Sequence, residues 1–136
     1  MSTELIWNVI APTNAYKITR CGVSFSSEPG NLRNRHSIKY SGLARRKVID
    51  VSTNAKGAIV LSAKRTKKAA NPATAFGKVQ LSNNYRSSAK AVRSTASGYA
   101  PELRAAALGR LHRLRKTANN AARIQRAAAK KAAPAN

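Results

Sequence analysis

The chain has 136 residues and carries 26 lysines and arginines against four acids, Glu4, Glu28, Asp50 and Glu102, for a formal net charge of +22 and a pI near 11.7. A compact domain with that excess repels itself, which implies a partner of opposite charge, and nucleic acid is the polyanion that most often calls for this density of cations. No run of about 20 apolar residues exists to span a bilayer, the N-terminus lacks the basic-then-apolar pattern of a secretory signal, and Cys21, the only cysteine, can form no internal disulfide and points to a reducing compartment.

From the N-terminus, Ser2 or Thr3 can cap a short helix over residues 3–11, in which Ile6, Val9 and Ile10 fall at helical spacing beside Trp7 and are expected to supply core. Ala11-Pro12-Thr13-Asn14 ends it. Tyr16 and Ile18, then Val23 and Phe25, alternate with polar residues around Cys21-Gly22, which predicts a hairpin. After the turn at Pro29-Gly30-Asn31, the alternation of Ile38 and Tyr40 with Ser37 and Lys39 predicts another strand. Two β-branched runs, 47–52 and 57–63, flank the polar loop Thr53 to Lys56 and predict a second hairpin. A last strand is expected within 75–81.

The pattern changes near residue 82. Ser82, Asn83 or Asn84 can cap a helix carrying Tyr85, Ala89, Val92 and Ala96 on one face, with Gly98 as its stop. Pro101 and Glu102 open another, in which Leu103, Ala107, Leu111, Leu114 and Ala118 lie within about 80° of arc. Residues 119–133 are rich in Ala, Arg and Lys, with Ile124 alone as a large apolar group; helix propensity is high and core-forming power low, so helix is expected only when docked, or frayed. The fold class expected is α+β: a small antiparallel β-sheet domain with a short N-terminal helix over 1–81, basic amphipathic helices over 82–118, and an Ala/Lys-rich C-terminal tail over 119–136.

Leu5-Ile6-Trp7, the turn Ser27-Glu28-Pro29-Gly30-Asn31-Leu32, the run Arg35-His36-Ser37-Ile38-Lys39-Tyr40-Ser41-Gly42-Leu43, Arg46-Lys47, Pro72-Ala73-Thr74 and Tyr99-Ala100-Pro101-Glu102-Leu103-Arg104 together resemble the eukaryote-specific large-subunit (60S) ribosomal protein family numbered twenty-eight. The resemblance covers roughly 2–118 and is most specific over 27–47; the loops Thr53 to Lys56 and Thr66 to Asn71 depart from it in composition. It implies an α+β protein seated on large-subunit rRNA beside other large-subunit ribosomal proteins, in the cytosolic ribosome after a nuclear or nucleolar assembly stage. It also implies no catalytic activity, no cofactor, no small-molecule substrate and no membrane.

The candidate RNA contacts fall in three groups. The first is Arg33, Arg35, His36, Lys39, Tyr40, Arg45, Arg46 and Lys47; the second Lys64, Arg65, Lys67 and Lys68; the third Arg104, Arg113, Arg115 and Lys116 on the last helix, outside its apolar stripe. Lysine and arginine neutralise phosphates and release counterions, and arginine also forks to phosphate and stacks on bases. Residues 45–47 are expected to lead into a strand, so that Arg46 opposes Arg45 and Lys47 across the chain. An ordinary solvated charge run would look the same, but four acids cannot pair so many cations. Core packing is the expected role of most aromatics; for Tyr40 a base contact stands level with it.

Two other classes compete. His36 and His112 could serve acid–base RNA cleavage, but each lies in a basic run, the four acids share no motif, and Cys21 with two distant histidines makes no zinc site. The Ala/Lys tail invites a linker-histone-like DNA-compacting protein, against which arginine is plentiful and the cations run through the β region too.

Overall fold

The computed structural model describes residues 2–67, 71 and 74–128 in full, and residues 68 and 129–132 through their backbone. Ser2 caps the first helix, α1 (Thr3–Ile10), its hydroxyl accepting from the Leu5 N–H at 3.2 Å and so satisfying one of the helix's orphan donors. No residue of α1 is buried, contrary to the core role expected of it. Amphipathic spacing tells which face of a helix is apolar, not what covers it. The contacts of α1 lie at its side and its end: the Trp7 ring lies 4.9 Å from that of His36, and Lys17 Nζ donates to the Ala11 carbonyl at 3.4 Å.

Strands β1 (Lys17–Arg20) and β2 (Val23–Ser26) pair antiparallel, with Ile18 opposite Phe25. Cys21 and Gly22 join them at φ 48° and 74°, the pair of positive φ values a tight two-residue hairpin turn demands. The alternation predicted here is present but inverted in its use. Ser26, on the polar face, is buried, whereas Ile18, Val23 and Phe25 are exposed. Tyr16 and Tyr85 are exposed too, so three of the aromatics assigned to core lie outside it.

The expected strand around Ile38 and Tyr40 does not form. The Tyr40 N–H donates back to the Ser37 carbonyl at 3.1 Å, closing a turn, and only Arg35 pairs across to Phe25 as an isolated bridge. Local turn bonding there overrides the period-two pattern.

The main sheet is β3 (Ile49–Thr53), β4 (Ile59–Lys64) and β5 (Phe76–Gln80), antiparallel in that order, with Val51 opposite Leu61 and Leu61 opposite Val79. Helix α2 (Tyr85–Tyr99) starts at Asn84, whose side chain accepts from the Arg86 N–H at 3.0 Å. A 3-10 turn over Pro101–Leu103 leads into α3 (Arg104–Ala132), 29 residues without a break. Residues 119–132 therefore continue the helix rather than fray. Nucleation is the costly step, and the packed start of α3 supplies it to a high-propensity alanine and arginine run.

Ile49, Val51, Ile59 and Leu61 from the sheet meet Val92 and Ala96 of α2 and Leu103, Ala107 and Leu111 in one buried cluster. Apolar packing thus joins the two sides of residue 82. Of the stripe predicted on the last helix, Leu103, Ala107 and Leu111 are buried, Leu114 packs partly, and Ala118 is exposed.

Candidate nucleic-acid interface

Between β2 and β3 the chain folds into two loops pinned against each other. Glu28 is buried and accepts from Asn31 Nδ2 at 3.1 Å and from Ser41 Oγ at 3.2 Å. Asn31 Nδ2 also donates to the Arg35 carbonyl at 2.9 Å, and Ser41 Oγ accepts from the Ala44 N–H at 3.2 Å. Two glycines let the backbones meet. A Cβ on Gly42 would lie 1.9 Å from the Pro29 oxygen, and one on Gly30, at φ +86°, 2.7 Å from Val48 Cγ1. Polar side chains bury inward here while Arg33, Arg35 and Lys39 stay on the exposed rim.

That rim faces α3. Leu32, Arg33, Lys39 and Tyr40 stand opposite Ala105, Ala106, Gly109, Arg110 and Arg113 across an open groove of about 570 Å³, with Glu102 at its edge. Tyr40 is half-buried against the core. The Arg33 guanidinium and the Lys39 ammonium each lie 5.8 Å from its ring centre, within cation–π range. Arg110 reaches from α3 to β3 and to the loop that carries Arg33: its Nε is 3.4 Å from the Val51 carbonyl and its Nη1 3.4 Å from Asn34 Oδ1. Nearby, burial pushes the Asp50 carboxyl above its usual value and the Arg110 charge opposes part of that rise. Arg110 was not among the residues picked from sequence, although it sits four residues after Ala106 and three before Arg113, on one helical face.

The remaining candidates divide by setting. Arg45 pairs with Glu102 at 2.5 Å and reaches the Lys39 carbonyl at 3.4 Å. Arg46 and Lys47 are exposed on a bend, since β3 begins only at Ile49, so strand alternation does not apply to them. Lys47 lies 5.8 Å from the Tyr99 ring centre. Lys64 turns inward: its ammonium donates to the Gly42 and Arg45 carbonyls at 3.2 and 3.1 Å, and burial lowers its pKa. The Tyr99 hydroxyl donates to the Lys64 carbonyl, and burial raises that phenol's pKa. His36 also faces inward, its Nε2 lying 3.0 Å from the Ala11 carbonyl; that oxygen can only accept, so the ring donates there. Arg115 donates to the Ser82 carbonyl and approaches Ser88 Oγ, bracing the start of α2.

Arg104, Arg113 and Lys116 are exposed on α3. Arg65 and Lys67 are exposed on a second basic surface with Lys78, where the Arg65 guanidinium spans Gly77. The Lys68 side chain, and Pro72 and Ala73 of the marker motif, lie outside the described residues. His112 packs edge-on to Tyr85 at 5.9 Å, on α3, while His36 sits beside Trp7 of α1.

Among the described residues, Arg45–Glu102 is the single ion pair, and no group of His, Cys, Asp and Glu is placed to hold a metal. No helix among them is long and apolar enough to cross a membrane. A model of the ribosomal L28e protein family matches residues 5–117. Large ribosomal subunit protein eL28 of Dictyostelium discoideum is 49% identical over 133 residues, spanning 97% of this chain and 98% of its own length. The protein of the same name from Schizosaccharomyces pombe is 31% identical over 112 residues, spanning 76% of this chain and 82% of its own.

Proposed function

Because the chain belongs to the ribosomal L28e protein family, we propose that it is a structural constituent of the large subunit of the cytosolic ribosome, binding and stabilising large-subunit rRNA through arginine and lysine contacts to phosphate. It is a member of a family of ribosomal components and not an enzyme. One observation carries the RNA reading. With 26 cations in the chain and one ion pair among the described residues, nearly all of the positive charge is left for an outside partner to neutralise.

The contacts divide into three surfaces: the groove rim with Arg33, Arg35, Lys39, Tyr40 and Arg113; the bend with Arg46 and Lys47; and the β4–β5 side with Arg65 and Lys67. Arg104 and Lys116 extend the first surface along α3. His36, Lys64 and Arg115 serve from inside, holding the loops that carry the exposed cations, and Arg45 serves through its pairing with Glu102. Neighbouring large-subunit proteins are the expected protein partners, and a nucleolar stage of assembly precedes the cytosolic one.

A salt titration of the full chain on structured large-subunit rRNA fragments tests this reading. If about eight phosphates are met, log affinity falls against log salt with a slope of roughly −6 to −7. Preference for duplex DNA over structured rRNA at matched salt would instead favour the DNA-compacting alternative and overturn it.

A further inference from the structure

Gly109 lies inside a long, unbroken α3, where a glycine weakens the helix relative to alanine. No packing requirement explains it, because an added Cβ would meet nothing within 4 Å. It does, however, line the groove, and with Ala105 and Ala106 it gives α3 a flat apolar strip there. Around that strip stand Arg33, Lys39, Arg110 and Arg113, while the groove's acid, Glu102, is already taken by Arg45.

A groove of about 570 Å³ has the size of a small-ligand cleft. An RNA duplex, a far wider body with its bases stacked inside, could reach the rim cations but not the floor. An unpaired nucleotide supplies what both parts need: a planar base for the apolar strip and phosphates on either side for the cations. Specific RNA recognition commonly works on such splayed-out bases. Arg110 also ties α3 to the opposite loop through Asn34 and to β3 through the Val51 carbonyl, which lowers the ordering left to be done on binding.

We propose that this groove receives a single unpaired nucleotide of the RNA, its base laid against Ala105, Ala106 and Gly109 beside Tyr40, and its flanking phosphates held by Arg33, Lys39 and Arg113. The absence of a side chain at position 109 is what lets the base approach the helix. This proposal rests on the RNA-binding reading above.

The test uses the full chain and two hairpin RNAs that differ only by one bulged nucleotide, 2-aminopurine, whose fluorescence reports its surroundings. The bulged RNA should bind several-fold more tightly, about the low end of what a base gains on an aromatic face, because the floor is aliphatic, and its fluorescence should change on binding. Gly109→Leu, whose Cβ meets nothing within 4 Å and whose side chain projects over the floor, should abolish the preference and the fluorescence change and leave affinity for the fully paired hairpin intact. Gly98→Leu on α2, also at an open position, should retain both. Equal affinity of the native chain for the two RNAs, or a preference that survives Gly109→Leu, would overturn the groove proposal and leave general RNA binding standing. Failure to bind either RNA would overturn both.

Discussion

Gly42 and Gly109 carry the same side chain and opposite consequences. At Gly42 a methyl group would sit 1.9 Å from the Pro29 carbonyl oxygen, a backbone atom that cannot swing aside. Gly42→Ala is therefore expected to cost about 3 kcal/mol or more, whereas Gly109→Ala should stabilise by up to about 1 kcal/mol through helix propensity alone. Urea melts in molar salt, where the Debye length falls to about 3 Å and self-repulsion is screened, would compare them. Glu28 belongs to the same scaffold as Gly42: Glu28→Ala leaves Asn31 Nδ2 and Ser41 Oγ without their buried acceptor, a loss of about 1–3 kcal/mol for each donor left unmet. Asp50 gives a pH signature. Its native pKa is raised, first by burial and against the pull of Arg110, so the folded chain keeps the proton to higher pH than the unfolded chain does. Its contribution to stability is thus greatest in acid and falls from about pH 4 upward through the raised native value. Asp50→Asn should remove that fall, and paired melts across the range would reveal it as a stability difference growing with pH in the variant's favour; a constant difference would contradict it.

Elements differ in what a sequence can say of them. The hairpin of β3 and β4 was legible because β-branched runs on both sides of a polar loop leave few other solutions. Helix α2 was legible from its Asn84 cap, although it runs through Gly98, the residue expected to stop it, to Tyr99, and α3 was legible from the apolar stripe of Leu103, Ala107 and Leu111. Residues 37–40 read as strand and fold as turn, because the bonds through Glu28, Asn31 and Ser41 that shape this loop have no periodicity to detect. Hairpin β1–β2 and helix α1 show apolar patterning whose apolar faces are largely uncovered in the isolated chain; a pattern cannot name its partner. Arg33, Lys39, Tyr40 and Arg113 were each picked from sequence, but their convergence on one groove needed the tertiary fold. For α3 the division between packed and projecting halves is testable. Leu111→Ala should cost about 2–5 kcal/mol, while Ile124→Ala, at 66% exposed, should change stability by less than about 0.5 kcal/mol. Equal effects in the same melts would mean that the outer half of α3 packs against the chain after all.

At the scale of the molecule, a large positive charge is set against a small core. With a net charge of +22, the free chain in low salt should melt without a sharp cooperative transition, and added RNA should restore one by binding only the folded form. A cooperative melt of the free chain in low salt would show that the core alone resists the repulsion. The sequence announces the need for a polyanion through composition; the fold adds that the acids are too few, and in Glu28 and Asp50 too engaged, to meet it. The central claim, a structural role on large-subunit rRNA, is tested most directly by sedimentation. A tagged chain produced in eukaryotic cells is followed through sucrose gradients after a high-salt wash of the ribosomes. The account predicts that it travels with large subunits and with whole ribosomes, and leaves that position when the RNA is digested. Recovery at the top of the gradient after the wash, or with chromatin, would contradict it.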